Sequence, residues 1–182
     1  MEQNEIVKHI KQQFFVYRNG IIADNLRRAG DTHSVIFGLN IPQLQIIAKK
    51  VGKNKEAAID LWENSSSRES RMIAPMIYPK DEMLFEDACN WINTVENTEI
   101  ADNLCHKLLR ELPFAESLIM EYHDKTRDIL RYISLRLAMN LLILGRLVNI
   151  NEIHVFAQNE VERNCKMTIL LAKDILEETN RK

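Results

Sequence analysis

Three pairs of cations recur along this chain at helical spacing: Arg68 with Arg71, Arg127 with Arg131, and Arg163 with Lys166. Side chains three or four positions apart share a helix face, so each pair can present its charge in one direction. Aligned on one wall, the six would form a basic stripe suited to a phosphate backbone. The alternative is that they are ordinary solvated residues paired with neighbouring Glu or Asp.

Other chemistries lack their residues. The glycines at 20, 30, 38, 52 and 145 make neither GxGxxG nor GxxxxGK[ST], so no loop of that type cradles a nucleotide phosphate. No two histidines stand at i, i+4, and no HExxH or Cys/His cluster supplies three ligands. Neither a metal nor another cofactor is expected. A GxSxG elbow is missing, and Cys89, Cys105 and Cys165 are odd in number and dispersed. They are expected to be reduced thiols in the core.

The elements that must carry these residues are helical. Nine Gly and Pro among 182 residues, with 46% hydrophobic and 27% charged, argue against a turn-rich β fold or a disordered chain. Apolar residues follow helical periodicity almost throughout, and no segment alternates with period two, which predicts an all-α class. Helices are expected at 3–18, 21–29 and 41–51, with a loop at 30–40 and Asn40 and Pro42 as cap and first turn of the third. Pairs then follow, opened by Asn54 and Ser66 or Ser67, by Asp81 and Asn97, by Pro113 and Asp124, and by Asn149 or Asn151 with a last helix from about 160. Pro75 should kink or end its helix. Second members beginning near 67, 97, 125 and 160 suggest stacked hairpins of the HEAT or armadillo type, an α-solenoid forming one domain over 1–182.

Twenty-four Lys and Arg oppose 26 Asp and Glu, so a site for a polyanion must be local. Residues 81–103 hold seven acidic side chains and no basic one, and should face away from any DNA. The N-terminal MEQNEIVKHI has no apolar run before a cleavage site. The stretch 137–144, interrupted by Asn140, is far short of a membrane span. A cytoplasmic protein without membrane association is expected.

The runs FGLNIPQLQIIAKK (37–50), LWENSSSRESRMIAPMI (61–77) and NWINTVENTEIADNLCHKLL (90–109) resemble the AlkD-like DNA alkylation repair family of HEAT-like repeat proteins. The most specific pieces are Gly38 to Leu44, Glu69 with Arg71, and the N-T-E-x-x-D run ending at Asp102. The resemblance implies a concave solenoid that holds duplex DNA and, in active members, cleaves the N-glycosidic bond of N3- or N7-alkylated purines. Such bases are cationic and leave readily, so the catalyst chiefly stabilises positive charge on base and sugar.

Carried over by residue, Asp102 matches the catalytic aspartate. The aromatic expected four positions earlier is Thr98, which has no π face. The arginine that holds the backbone falls at Tyr132, beside Arg131, and the last aromatic falls near Thr168. Read without the resemblance, Asp102 and Glu99 simply place negative charge near the start of a helix capped by Asn97. Trp62 and Trp91 sit on apolar stripes and are expected in the core. The expectation is a weakly DNA-binding protein with Arg68, Arg71, Thr98, Arg127, Arg131, Tyr132, Arg163 and Lys166 at the DNA, and with much reduced or no glycosylase activity. The alternative is a non-catalytic solenoid whose concave wall binds a peptide or protein.

Overall fold

A computed structural model describes residues 3–181, and among these the regular structure is helical, with one isolated bridge between Val35 and Ser67. Backbone contacts gather the chain into two units, Met1–Met83 and Leu84–Lys182.

The first unit holds α1 (Gln3–Tyr17), α2 (Gly20–Arg28), α3 (Ile41–Val51), α4 (Lys55–Glu63) and α5 (Arg68–Ile77). Polar caps set the helix starts: the side chains of Asn19, Asn40, Asn54 and Ser67 accept hydrogen bonds from first-turn N–H groups. Asn40 and Gln43 complete a reciprocal capping box with Pro42 in the first turn. Helix α5 packs on both α4 and α3, and ends two residues after Pro75.

The loop before α3 is held by a buried carboxylate. Glu69, fully buried, accepts hydrogen bonds from the backbone N–H groups of Phe37 (3.0 Å), Gly38 (2.9 Å) and Leu39 (3.3 Å), and from Arg68 Nη1 (2.8 Å). Arg68 Nη1 also donates to the Leu39 carbonyl at 3.1 Å. Gly38 has φ +80°, and a Cβ there would lie 2.2 Å from the Asn19 carbonyl oxygen, so no other residue fits. Both motif pieces in this unit are therefore halves of one buried joint.

The second unit holds α6 (Phe85–Asn93), α7 (Thr98–Lys107), α8 (Ala115–Tyr122), α9 (Asp128–Ile143), α10 (Ile150–Arg163) and α11 (Ile169–Asn180). Helix α9 is buried on nearly every face and packs on its hairpin partner α8 and on the second helices before and after it, α7 and α11. Within this unit the hairpins thus stack in sequence order. Helices α5, α7 and α9 begin at Arg68, Thr98 and Asp128, thirty residues apart.

The last pair breaks that period. Helix α10 runs on to Arg163, and α11 begins at Ile169 rather than near 160. Arg163 and Lys166 accordingly occupy the end of a first helix and the connection after it. Helix α6 begins at Phe85 rather than after Asp81, which lies instead in a short 3-10 turn at Lys80–Glu82.

Candidate functional site

Asn97 caps α7 by accepting from Ile100 N–H at 2.9 Å, and the helix then carries Thr98 and Asp102 four residues apart on one face. Alongside it, α9 presents Tyr132 and Arg136, again four apart. The two faces meet in a polar triad. Asp102 Oδ1 accepts from the Tyr132 hydroxyl at 2.8 Å and from Arg136 Nε at 2.7 Å, while Arg136 Nη2 donates to the Tyr132 oxygen at 2.9 Å. The Asp102 side chain is 45% exposed and that of Arg136 31%, so carboxylate and guanidinium both open to solvent. Tyr132 is buried beneath them, with the guanidinium carbon 5.6 Å from its ring centroid.

Burial lifts the Tyr132 phenol above its usual value; Arg136 opposes this and Asp102 adds to it. The hydroxyl is therefore a neutral donor that fixes the carboxylate. Burial pulls on the Arg136 charge too, but the hydrogen bond to Tyr132 and the Asp102 charge outweigh it and raise its pKa. The site pairs an oriented carboxylate with a permanent, reachable cation.

Arg136 was not among the residues expected at the DNA. Its signal in the sequence is the Tyr132–Arg136 spacing, which places a cation one turn beyond the position where the resemblance calls for arginine. Thr98 is half-exposed at the start of α7 and brings no aromatic face. Thr168, where the last aromatic was expected, is fully buried with no hydrogen bond to its hydroxyl, and so does not line this site.

The six-residue accessible stripe is corrected by the structure. Arg68, Arg71 and Arg131 are buried, at 3%, 7% and 5% exposure. A buried guanidinium needs partners, and these have them. Arg68 serves the Glu69 joint, and Arg71 lies over the Trp62 indole at 4.4 Å. Arg131 donates to buried Glu160 (2.9 Å), to Asp128 (2.6 Å) and to the carbonyls of Lys125 and Thr126. Arg127 is exposed but donates to the carbonyls of Asn93, the last residue of α6, and of Val95 just beyond it. Arg163 is exposed and paired with Glu160 at 3.1 Å, and Lys166 is exposed. Trp62 and Trp91 are core residues.

Only one of the three cysteines is in the core. Cys105 is buried, with its thiol pushed well above the usual range by burial and by Asp102, whereas Cys89 and Cys165 are half-exposed. Burial also raises the Cys89 thiol. Iodoacetamide on the native chain at pH 8 is expected to label Cys165 first, Cys89 more slowly, and Cys105 only on unfolding, as read by peptide mass spectrometry. Early labelling of Cys105 would contradict its packing between α7 and α9.

Among the described residues no group of three or more His, Cys, Asp or Glu is arranged to hold a metal, and no helix is long and apolar enough to cross a membrane. A search of curated proteins finds no match. A solved structure from a family of proteins related to the HEAT-like repeat DNA glycosylases, with affinity for branched DNA structures, superposes with a TM-score of 0.81 at 16% identity. The match covers 94% of this chain and 74% of that one. It establishes the fold as an α-solenoid of HEAT-like helical hairpins. The family model described as DNA alkylation repair enzyme matches residues 10–140, which include the buried Glu69 joint and also Asp102 and Arg136. The chain belongs to the DNA alkylation repair enzyme family.

Proposed function

We propose that this protein binds DNA through the face shared by α7 and α9, and excises alkylated bases slowly or not at all. The observation that carries the reading is the solvent-open Asp102–Arg136 pair: a guanidinium that can take a phosphate, beside a carboxylate that can face a sugar. In excision, Asp102 would stabilise the cationic sugar as the base departs. Two features weaken that step. Arg136 already compensates the Asp102 charge, and neither Thr98 nor Tyr132 offers an open aromatic face to the cationic base. Thr98 has none, and the Tyr132 ring is buried under Arg136. Three free cysteines suit a reducing, cytoplasmic compartment.

Of the cations expected at the DNA, Arg127, Arg163 and Lys166 are accessible, Arg163 is held by Glu160, and Arg136 joins them. With Arg127, Arg136 and Lys166 neutralising about three phosphates, log K should fall with log salt at a slope of about −3. Fluorescence anisotropy with a labelled duplex and a four-way junction, the latter chosen because the structural relative has affinity for branched DNA, is expected to show this weak, salt-sensitive binding. Arg136→Ala should reduce affinity about tenfold, the weight of one charged hydrogen bond, with an unchanged melting profile.

Base release from N7-methylguanine duplex should be slow or absent. Asp102→Asn should remove whatever remains, and Thr98→Trp should raise it roughly 5- to 30-fold by adding one cation–π contact. Undetectable DNA binding at low salt, or binding unchanged by Arg136→Ala, would favour the non-catalytic protein-binding reading. Robust excision that survives Asp102→Asn would remove the proposed role of that residue.

A further inference from the structure

We propose that the face of the second unit formed by α6, α8 and α10 docks a basic amphipathic helix of a partner protein. This inference is independent of the DNA reading, because it uses the first helices of the hairpins rather than α7 and α9. A cleft of about 370 Å³ opens between the end of α8 and α10, walled by Met120, His123, Ile153, Val155 and Phe156. A second, of about 500 Å³, lies between Phe85 of α6 and Glu116 and Ser117 of α8, and shares Met120 with the first.

The wall is preformed. His123 Nδ1 bonds the Met120 carbonyl at 2.7 Å, and its ring meets Phe156 edge-on at 5.6 Å. Val155 is 54% exposed and Leu84, next to Phe85, 65% exposed. The apolar cleft can receive an anchor from one helix face, and the polar cleft that meets it at Met120, with Glu116 and Glu121, can receive a cation one turn away on the same face, at i+3 or i+4.

Charge identifies the occupant. Helices α6 and α8 carry Glu86, Asp87, Glu116 and Glu121 and neither lysine nor arginine. Helix α10 adds Glu152 at the cleft, and its single Lys/Arg residue, Arg163, lies in its last turn bound to buried Glu160. Lys125, in the connection after α8, offsets Glu121 at 2.8 Å, and the other rim carboxylates have no such partner among the described ion pairs. An apolar cleft inside an acidic rim fits a helix whose apolar face is flanked by Lys and Arg. Nucleic acid and anionic lipid are repelled. A second copy would set acidic rim against acidic rim across a two-fold axis, so the face is not complementary to itself.

The probe is a fluorescent helical peptide of Leu and Lys with leucines at i, i+3, i+4 and i+7, titrated with the full chain at 150 mM salt. Two controls are a scrambled peptide of equal composition and a Leu/Glu peptide. The patterned Leu/Lys peptide is expected to bind at micromolar Kd and both controls at least about tenfold more weakly. Val155→Lys, at an exposed position that leaves the fold intact by circular dichroism, should weaken it at least about tenfold while leaving DNA affinity unchanged. Absent binding, equal binding of the scrambled peptide, or indifference to Val155→Lys would overturn the proposal. So would self-association in sedimentation that Val155→Lys abolishes, because the face would then belong to a second copy.

Discussion

Glu69→Ala is expected to destabilise the first unit by about 3–5 kcal/mol, the cost of breaking a buried charged pair from one side. The loss is large because one carboxylate satisfies three backbone N–H groups and a guanidinium, all removed from water. Alanine strands the three donors at about 1–3 kcal/mol for each group left unsatisfied, partly relieved where the loop can open to solvent. It also leaves Arg68 with the Leu39 carbonyl and a longer contact to Asp31 at 3.8 Å. Urea unfolding followed by circular dichroism would show the midpoint falling with little change in slope. Glu69→Gln keeps two acceptor lone pairs but loses the charge, and should fall between wild type and alanine. If Glu69→Ala unfolds with the wild-type midpoint, the joint between the loop and α5 contributes nothing, and its match to the family model has another cause.

That joint also marks what the sequence made legible. The all-α class, the caps at Asn40, Asn54, Ser67 and Asn97, and the thirty-residue rhythm of α5, α7 and α9 follow from local signals: polar side chains before apolar stripes, and a repeating hairpin length. Asp102 was found through the N-T-E-x-x-D run, and the structure places it where α7 meets α9. The partners of the arginines were not legible. Charge and spacing are the same for a solvated arginine and for one buried against a carboxylate thirty residues away. Arg131 and Glu160 are 29 positions apart, and Arg136 and Asp102 are 34 apart. Such pairings exist only once hairpins stack, so neither the burial of Arg131 nor the exposure of Arg136 can be read from a single helix. The long α10 defeated the period for a simpler reason: 14 helical residues fill the space where the repeat would have turned.

Arg131 and Arg136 therefore make the sharpest contrast available in this chain, five residues apart on α9 and opposite in consequence. Arg131→Ala is expected to cost about 3–5 kcal/mol, because Glu160 is left buried with only the exposed Arg163 near it and with Oε2 already lacking a hydrogen bond. Arg136→Ala should leave the midpoint nearly unchanged, because its pair with Asp102 is open to water. The acid limb of stability carries a second signature. Hydrogen bonds from Arg131 first, and from Cys165 next, hold the Asp128 carboxyl below its ordinary value of 3.8. A carboxyl depressed by folding contributes stability that is present above that ordinary value and lost as pH falls through the lower folded one. Wild type should therefore lose stability as pH drops below about 4, and Arg131→Ala should lose less over that window, having already forfeited the bond that depresses Asp128. Equal midpoints for Arg131→Ala and wild type at neutral pH would mean that the cation is replaceable where it is buried. Its removal would then belong with that of Arg136 as a change of surface charge alone.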